Sequence, residues 1–337
     1  MALKGRRVLD AVILLSPLMA GWAALFVGSC DIPPLDVLRV LAWRLFDPGA
    51  FGESSEWVVI VDIRLCRVVL AGIVGAVLSA GGATFQGMFR NPLVDPYILG
   101  ISAGAAFGCA VAVGFMPLIS TPLLAFACGI LAVSLTSWIA RWGDDVSPLT
   151  MVLAGVVVSA FFTALVSIVK FLVDPAKLQS IVYWLMGSFS LAEWKSVGMA
   201  AAAAVVGLTP VYLMRWRLNV ISMGEEEART MGVDVRRYRV VFIAASTLAV
   251  STAVSVSGII GWVGLMVPHL VRMVSGPDHR SLIPLSMAAG AAFLILADTV
   301  ARSLTVYDLP VGLVTAITGA PFFVYLLKRG GRESWRG

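Results

Sequence analysis

The residues able to do polar chemistry are concentrated in one passage. From Arg215 to Arg239 the chain reads RWRLNVISMGEEEARTMGVDVRRYR, the only long charged stretch in an otherwise apolar sequence. Ser222 followed three residues later by Glu225 is a capping-box pattern, and Glu225, Glu226 and Glu227 crowd the turn where acidic groups complement the helix dipole. Gly232 stands where a helix C′ residue belongs, with Ala228 between. The pattern predicts a short, water-exposed helix of about two to three turns. Arg215 and Arg217 precede it and Arg236, Arg237 and Arg239 follow, each cluster abutting a long apolar run. Basic flanks mark such a loop as cytoplasmic, so its chemistry is recognition of a soluble partner.

Groups for covalent catalysis or metal binding are sparse. No G-x-x-x-x-G-K-[ST] occurs and no lysine follows a glycine, so the chain has no phosphate-binding loop and is not read as an ATPase. His269 and His279 are too few and too isolated for a metal site. Cys30, Cys66, Cys109 and Cys128 form no CxxC pair and read as small apolar packers. Cys30 and Cys66 both fall near the expected outer surface, which leaves a disulfide between them as the alternative. Asp298 stands four residues before Arg302, the spacing of a helical ion pair, with a proton-relay carboxylate as the lesser reading. Asp298 and His269 make a poor pair for intramembrane hydrolysis.

The elements that position these residues are membrane spans. Hydrophobic residues make up 59% and charged residues 13% of 337 positions, far from the roughly 25% charged of soluble domains. The fold class is therefore an all-α polytopic membrane protein: one transmembrane domain over 1–337, with 215–239 as a cytoplasmic loop inside it. At about 20 residues per span the length accommodates roughly ten. The net charge of +5 then describes loop topology, and nucleic-acid binding is excluded.

The expected spans are Val8–Gly28, Ile63–Ala83, Tyr97–Val113, Leu123–Ala140, Thr150–Phe171, Val197–Met214, Val240–Val256, a broken segment within Ser257–Arg272, Leu282–Ala301 and Val311–Leu327. Lys4, Arg6 and Arg7 precede the first apolar run, which is longer than a signal h-region and so reads as a retained span, with lipoprotein-type cleavage before Cys30 as the alternative. Ser29–Asp62 is expected as an outer loop with amphipathic pieces, and Val173–Glu193 as an outer segment with interfacial aromatics. Gly100, Gly104 and Gly108 share one face and predict close helix packing. In Ser257–Arg272 the helix is expected to break near Pro268, which is tolerated where the backbone lines a cavity or is buried in protein. Arg141 to Asp145 is expected as an inner turn. Most of the 25 Lys and Arg fall on one side, including Arg332 and Arg336 in the tail, which puts both termini inside. Spans two to five and seven to ten then form an inverted repeat.

Three arginines break that bias: Arg64, Arg67 and Arg302 sit at the outer ends of spans. Snorkelling anchors are one reading. The other is a basic rim that receives acidic residues of an external partner, because the guanidinium fork matches carboxylates.

The whole chain resembles the FecCD-type permeases of ABC importers, the family of iron-siderophore, haem and vitamin B12 permeases. The resemblance is carried by Arg64-Leu65-Cys66-Arg67, by Gly81-Gly82-Ala83-Thr84-Phe85-Gln86-Gly87 running into Asn91-Pro92-Leu93 and Asp95-Pro96, and by Leu99 to Gly104. It continues through Tyr183 to Ser188, Gly224 to Ala228 with Gly232, Gly261 to His269, Gly276 to Arg280, Ala297-Asp298, Arg302, Leu309 to Gly312 and Gly319 to Phe323. It implies a homodimer of ten-span subunits with an inverted repeat, two cytoplasmic ATPase subunits that carry ATP and Mg, an external substrate-binding protein, and no cofactor on this chain. It implies a multi-pass protein of the bacterial or archaeal plasma membrane that imports a bulky iron complex or cobalamin by alternating access. Residue by residue, Gly224 to Gly232 resembles the ATPase-coupling helix, Arg64, Arg67 and Arg302 the arginines that receive binding-protein glutamates, and Asn91 and Leu93 the cytoplasmic gate. Cys66 departs from the proline that the family usually has between the paired arginines. A cation-coupled secondary transporter is the alternative, opposed by the shortage of mid-span ionisable residues.

Overall fold

A computed structural model describes residues 2–28, 30, 32–46, 55–141, 147–305 and 307–330. Of the turn expected at Arg141 to Asp145 only Arg141 is described, and the tail arginines Arg332 and Arg336 lie outside the described residues. In chain order the helices are α1 (Ala2–Phe26), α2 (Pro34–Phe46), α3 (Ser55–Trp57), a π-helical segment (Val58–Leu65), α4 (Cys66–Met88), α5 (Ile101–Phe115), α6 (Thr121–Ala140) and α7 (Pro148–Leu172). Then come α8 (Pro175–Leu185), α9 (Trp194–Met223), α10 (Glu225–Thr230), α11 (Val235–Ser257), α12 (Val263–Ser275), α13 (His279–Ser303) and α14 (Val311–Gly330).

Among the described residues six helices are long and apolar enough to cross a bilayer: α1, α6, α7, α9, α11 and α13. Three shorter apolar helices, α5, α12 and α14, and the 23-residue α4 complete the expected ten. An all-helical solution follows from the solvent: in hydrocarbon each backbone N–H and C=O must be satisfied within its own segment. The inverted repeat is visible in α4–α7 and α11–α14. In each, a 23-residue helix leads into a bent segment and then a short helix, α5 of 15 residues or α12 of 13. Both short helices open on a residue with positive φ, Gly100 at 90° and Trp262 at 72°.

The core is centred on α4, which is buried along most of its length against α13, α9, α11 and α12. Glycines set the approach. A Cβ on Gly75 would lie 2.2 Å from the Gly290 carbonyl oxygen of α13, and one on Gly82 would lie 1.9 Å from the Gly264 oxygen of α12. Backbones in such contact gain van der Waals packing that no larger residue permits. The row on α5 acts in the same way: Gly104 and Gly108 meet the Cys128 and Leu124 carbonyls of α6.

Three expectations need correction. The second span starts earlier than Ile63, because helical structure runs without interruption from Ser55 through the π-helical segment. The third starts later than Tyr97, since Asn91 to Gly100 is irregular. The break expected at Pro268 lies at Gly258–Trp262 instead, and Pro268 sits inside an unbroken α12. Its missing N–H leaves the Gly264 carbonyl without the usual i→i−4 donor, and the Gln86 amide fills the vacancy, donating to Gly264 O at 3.2 Å and Leu265 O at 3.4 Å. All four cysteines are free thiols, Cys30 exposed and Cys66 buried, so no disulfide joins them.

Candidate functional site

The acidic stretch forms α10, a six-residue helix between the end of α9 and the start of α11. Its N-cap is Gly224, at φ 148°, and not Ser222. Ser222 lies in the last turn of the 30-residue α9, where its hydroxyl donates back to Asn219 O at 2.7 Å and is lost to capping. The expected helix is therefore shorter than two turns. Gly232 does occupy the C′ position, with φ 75°. Ala228, four positions before it, is fully buried and its carbonyl accepts from Val233 N at 2.9 Å, which closes the helix end.

Two interactions brace this segment. Glu225 accepts from the guanidinium of Arg239, a buried arginine about one turn into α11. Asp234 caps α11 by accepting from Arg237 N at 3.0 Å. Glu226, Glu227, Arg229 and Met231 stay exposed, so charge and one apolar side chain project from a firmly held base. Behind the segment, Asn219 of α9 donates to Asp278 Oδ1 at 2.6 Å and accepts from His279 N at 2.8 Å. Partial burial raises the Asp278 carboxyl, but the Arg280 N–H, the Asn219 amide and the nearby Arg280 and His279 charges outweigh it, so Asp278 is held below the usual carboxylate range. Asn219 thus ties the α9 end to the α12–α13 corner.

The three outer arginines come together, and all are buried. Arg64 donates to Leu25 O at 2.9 Å and to Cys30 O, in and just beyond α1. Arg67 clasps Asp298 through Nη2 at 2.7 Å and Nε at 3.4 Å, and places Nη1 2.7 Å from Asp308. Arg302 donates to Ala24 O and stands 3.9 Å from Asp298. The tight partner of Asp298 is thus Arg67 on α4, not the in-helix Arg302. The i, i+4 spacing lets the α13 pair meet, but the fork of Arg67 reaches the carboxylate first. Asp308 went unnoticed as a site residue because a carboxylate in a short loop looks like any solvated one.

Asn91 and Leu93 occupy the exposed turn that follows α4. Arg90 adopts φ 50°, and Asn91 Oδ1 accepts from Leu93 N at 2.9 Å, an Asx turn that holds both residues at the surface. Gln86, one turn earlier, links this corner to α12, because its Oε1 accepts from Arg272 Nη2 at 2.9 Å. A polar amide within an apolar helix was the available signal for that link. The irregular backbone at the other break is also satisfied: Ser188 N donates to Ser257 O at 2.8 Å and the Tyr97 hydroxyl to Ile260 O at 3.0 Å. Gly100 to Gly104 reads G-x-S-x-G, but Ser102 lies inside α5 with no strand before it, which is not the geometry of a nucleophile elbow. Among the described residues no cluster of His, Cys, Asp and Glu is arranged to hold a metal.

Ten apolar helices interrupted by one short acidic helix, α10, are the architecture of a polytopic transport permease. Residues 14–329 match the FecCD transport family, and the chain belongs to it. It is 44% identical over 277 residues to the "Probable iron chelatin transport system permease protein" of Helicobacter pylori, covering 82% of this chain and 84% of that one. It is 42% identical over 286 residues to the cobalamin import system permease protein of Halobacterium salinarum, covering 83% and 76%. A solved metal-chelate type ABC transporter in an inward-facing conformation superposes with a TM-score of 0.84 at 34% identity, covering 96% of this chain and 99% of that one. Family membership decides against the cation-coupled secondary transporter and makes this a multi-pass transport subunit.

Proposed function

We propose that this chain is one of two identical permease subunits that import a bulky metal chelate, such as an iron–siderophore complex, haem or cobalamin, by ATP-driven alternating access. ATP and Mg act on two cytoplasmic ATPase subunits, and an external binding protein delivers the cargo. Both termini lie in the cytoplasm. The observation that carries the reading is α10 itself: a short acidic helix, clamped to α11 through Glu225 and Arg239 and based on buried Ala228, with Glu226 and Glu227 projecting. Gly224, with its positive φ, and Gly232 set its two ends, and Ser222 anchors the turn of α9 that leads into it. Movement of an ATPase against such a segment is passed to α9 and α11 without loss in a loose loop.

Asn91 and Leu93 form the cytoplasmic gate in this reading, at a turn coupled to α12 through Gln86 and Arg272. Arg64, Arg67 and Arg302 serve docking by exchange. Donors on each of them are engaged by the carbonyls of Leu25, Cys30 and Ala24 and by Asp298 and Asp308, and carboxylates of the binding protein compete for them. Any such partner shifts the conformational equilibrium only by its differential affinity for the two states.

The test is uptake by proteoliposomes containing the permease with its ATPase. Glu226→Lys together with Glu227→Lys places two charge reversals on the exposed face of α10 and is expected to lower ATP-dependent uptake at least tenfold, about 1.4 kcal/mol of coupling. Unchanged uptake at equal incorporation would refute the coupling role.

A further inference from the structure

Between α6 and α11 lies a cavity of about 580 Å³ that none of the roles above uses. Its long walls are mainly apolar, with Ile130 and Val133 from α6 facing Val240, Ile243 and Leu248 from α11, and carry the hydroxyls of Ser134, Ser137 and Thr247. One end is different. Arg141 closes α6, and Arg236 and Arg239 stand in the first turns of α11, so three guanidinium groups border the same mouth. Trp138, 57% exposed, lies one turn from Arg141.

We propose that this groove binds an anionic phospholipid, its headgroup held by Arg141 and Arg236 and an acyl chain lying along the α6–α11 seam. Dimensions favour this occupant. Eleven residues separate Ile130 from Arg141, about 16 Å along a helix, which is about half of a 30 Å hydrocarbon core. The groove is one leaflet deep. Basic residues at the mouth and an indole at headgroup level are the arrangement expected of a lipid site, because the phosphate meets charge while the chain meets hydrocarbon. A soluble partner cannot follow the groove into the span. Arg239, at the same mouth, also holds Glu225 of α10, so the headgroup is seated beside the base of the coupling segment. The leaflet is the inner one on the topology proposed above; the site itself does not depend on the coupling role.

The experiment uses the complete transporter in nanodiscs of phosphatidylcholine with increasing fractions of phosphatidylglycerol bearing dibrominated chains, which quench nearby indoles. Subtracting the Trp138→Phe variant isolates the signal of Trp138. Brominated phosphatidylglycerol should quench that signal at a mole fraction well below that of brominated phosphatidylcholine. The Arg141→Gln/Arg236→Gln variant should need roughly 25-fold more, at about fivefold per arginine. Ala244→Trp, which fills the exposed wall while leaving every arginine in place, should abolish the preference. Equal quenching by the two lipids, or a preference untouched by both variants, would overturn the proposal. Quenching is read without ATP, so a failed coupling experiment leaves this result standing and the reverse also holds.

Discussion

Removal of either partner from the Arg67–Asp298 pair should destabilise the protein far more than removal of both. Arg67 is 4% and Asp298 1% exposed, and they share two hydrogen bonds, at 2.7 Å and 3.4 Å. In Arg67→Met the carboxylate keeps Arg302, 3.9 Å away, as a cationic neighbour. In Asp298→Leu the guanidinium keeps Asp308 on one nitrogen, while Arg302 loses its nearest carboxylate. Breaking one side of a buried pair costs about 3–5 kcal/mol, mostly for the charge left behind, whereas an apolar replacement of the pair is often close to neutral. The double variant Arg67→Met/Asp298→Leu should therefore recover at least about 2 kcal/mol relative to the sum of the singles. Unfolding by SDS in mixed micelles, followed by tryptophan fluorescence, gives all four corners of the cycle. Arg39→Met, which breaks an exposed pair with Asp36 at 3.1 Å, is the control and should change stability by less than about 1 kcal/mol. Additive single effects would show that the two charges do not sense one another and would refute this account of the cluster.

Further outcomes follow from the same geometry. Gly75→Leu forces a side chain into the Gly290 carbonyl of α13 and should lower the yield of folded protein or cost about 1–3 kcal/mol, measured by the same unfolding assay. Gln86→Leu strips the Gly264 carbonyl and Arg272 of a partner at once and should cost about 1–3 kcal/mol, whereas Gln86→Glu should retain the Arg272 contact and lose less. Asp308→Asn removes a carboxylate that competes for Arg67 at 2.7 Å, so affinity for the external binding protein, measured by biolayer interferometry, should rise; an unchanged or weaker affinity speaks against docking by exchange. Asp234→Ala should cost about 1 kcal/mol through loss of the α11 cap.

The sequence disclosed the spans because apolar length is a property of the chain alone, and α6, α7 and α13 lie within a few residues of where hydropathy put them. It misplaced what depends on tertiary partners. Ser222 has the capping-box spacing, yet α9 continues past it because Gly224 offers the first position where the chain can turn. Pro268 looks like a helix breaker until Gln86, 182 positions earlier, supplies the missing donor. The same holds for the arginines: Arg64, Arg67 and Arg302 stood out as charges on the wrong side, but their burial and the role of Asp308 depend on contacts with α1 and with the α13–α14 loop. The acidic helix was legible because charge has nowhere else to go in such a chain.

The most direct test of the central claim is a cross-link from α10 to the ATPase. With single cysteines introduced at Glu226→Cys and, as a control, at the half-buried Lys177→Cys of α8, a short bifunctional maleimide with a cysteine-scanned ATPase surface reports proximity. Robust cross-linking from position 226 that changes in yield when ATP is bound, with none from position 177, is the predicted result. Equal cross-linking from both positions, or none from position 226 while ATP-driven uptake persists, would contradict it.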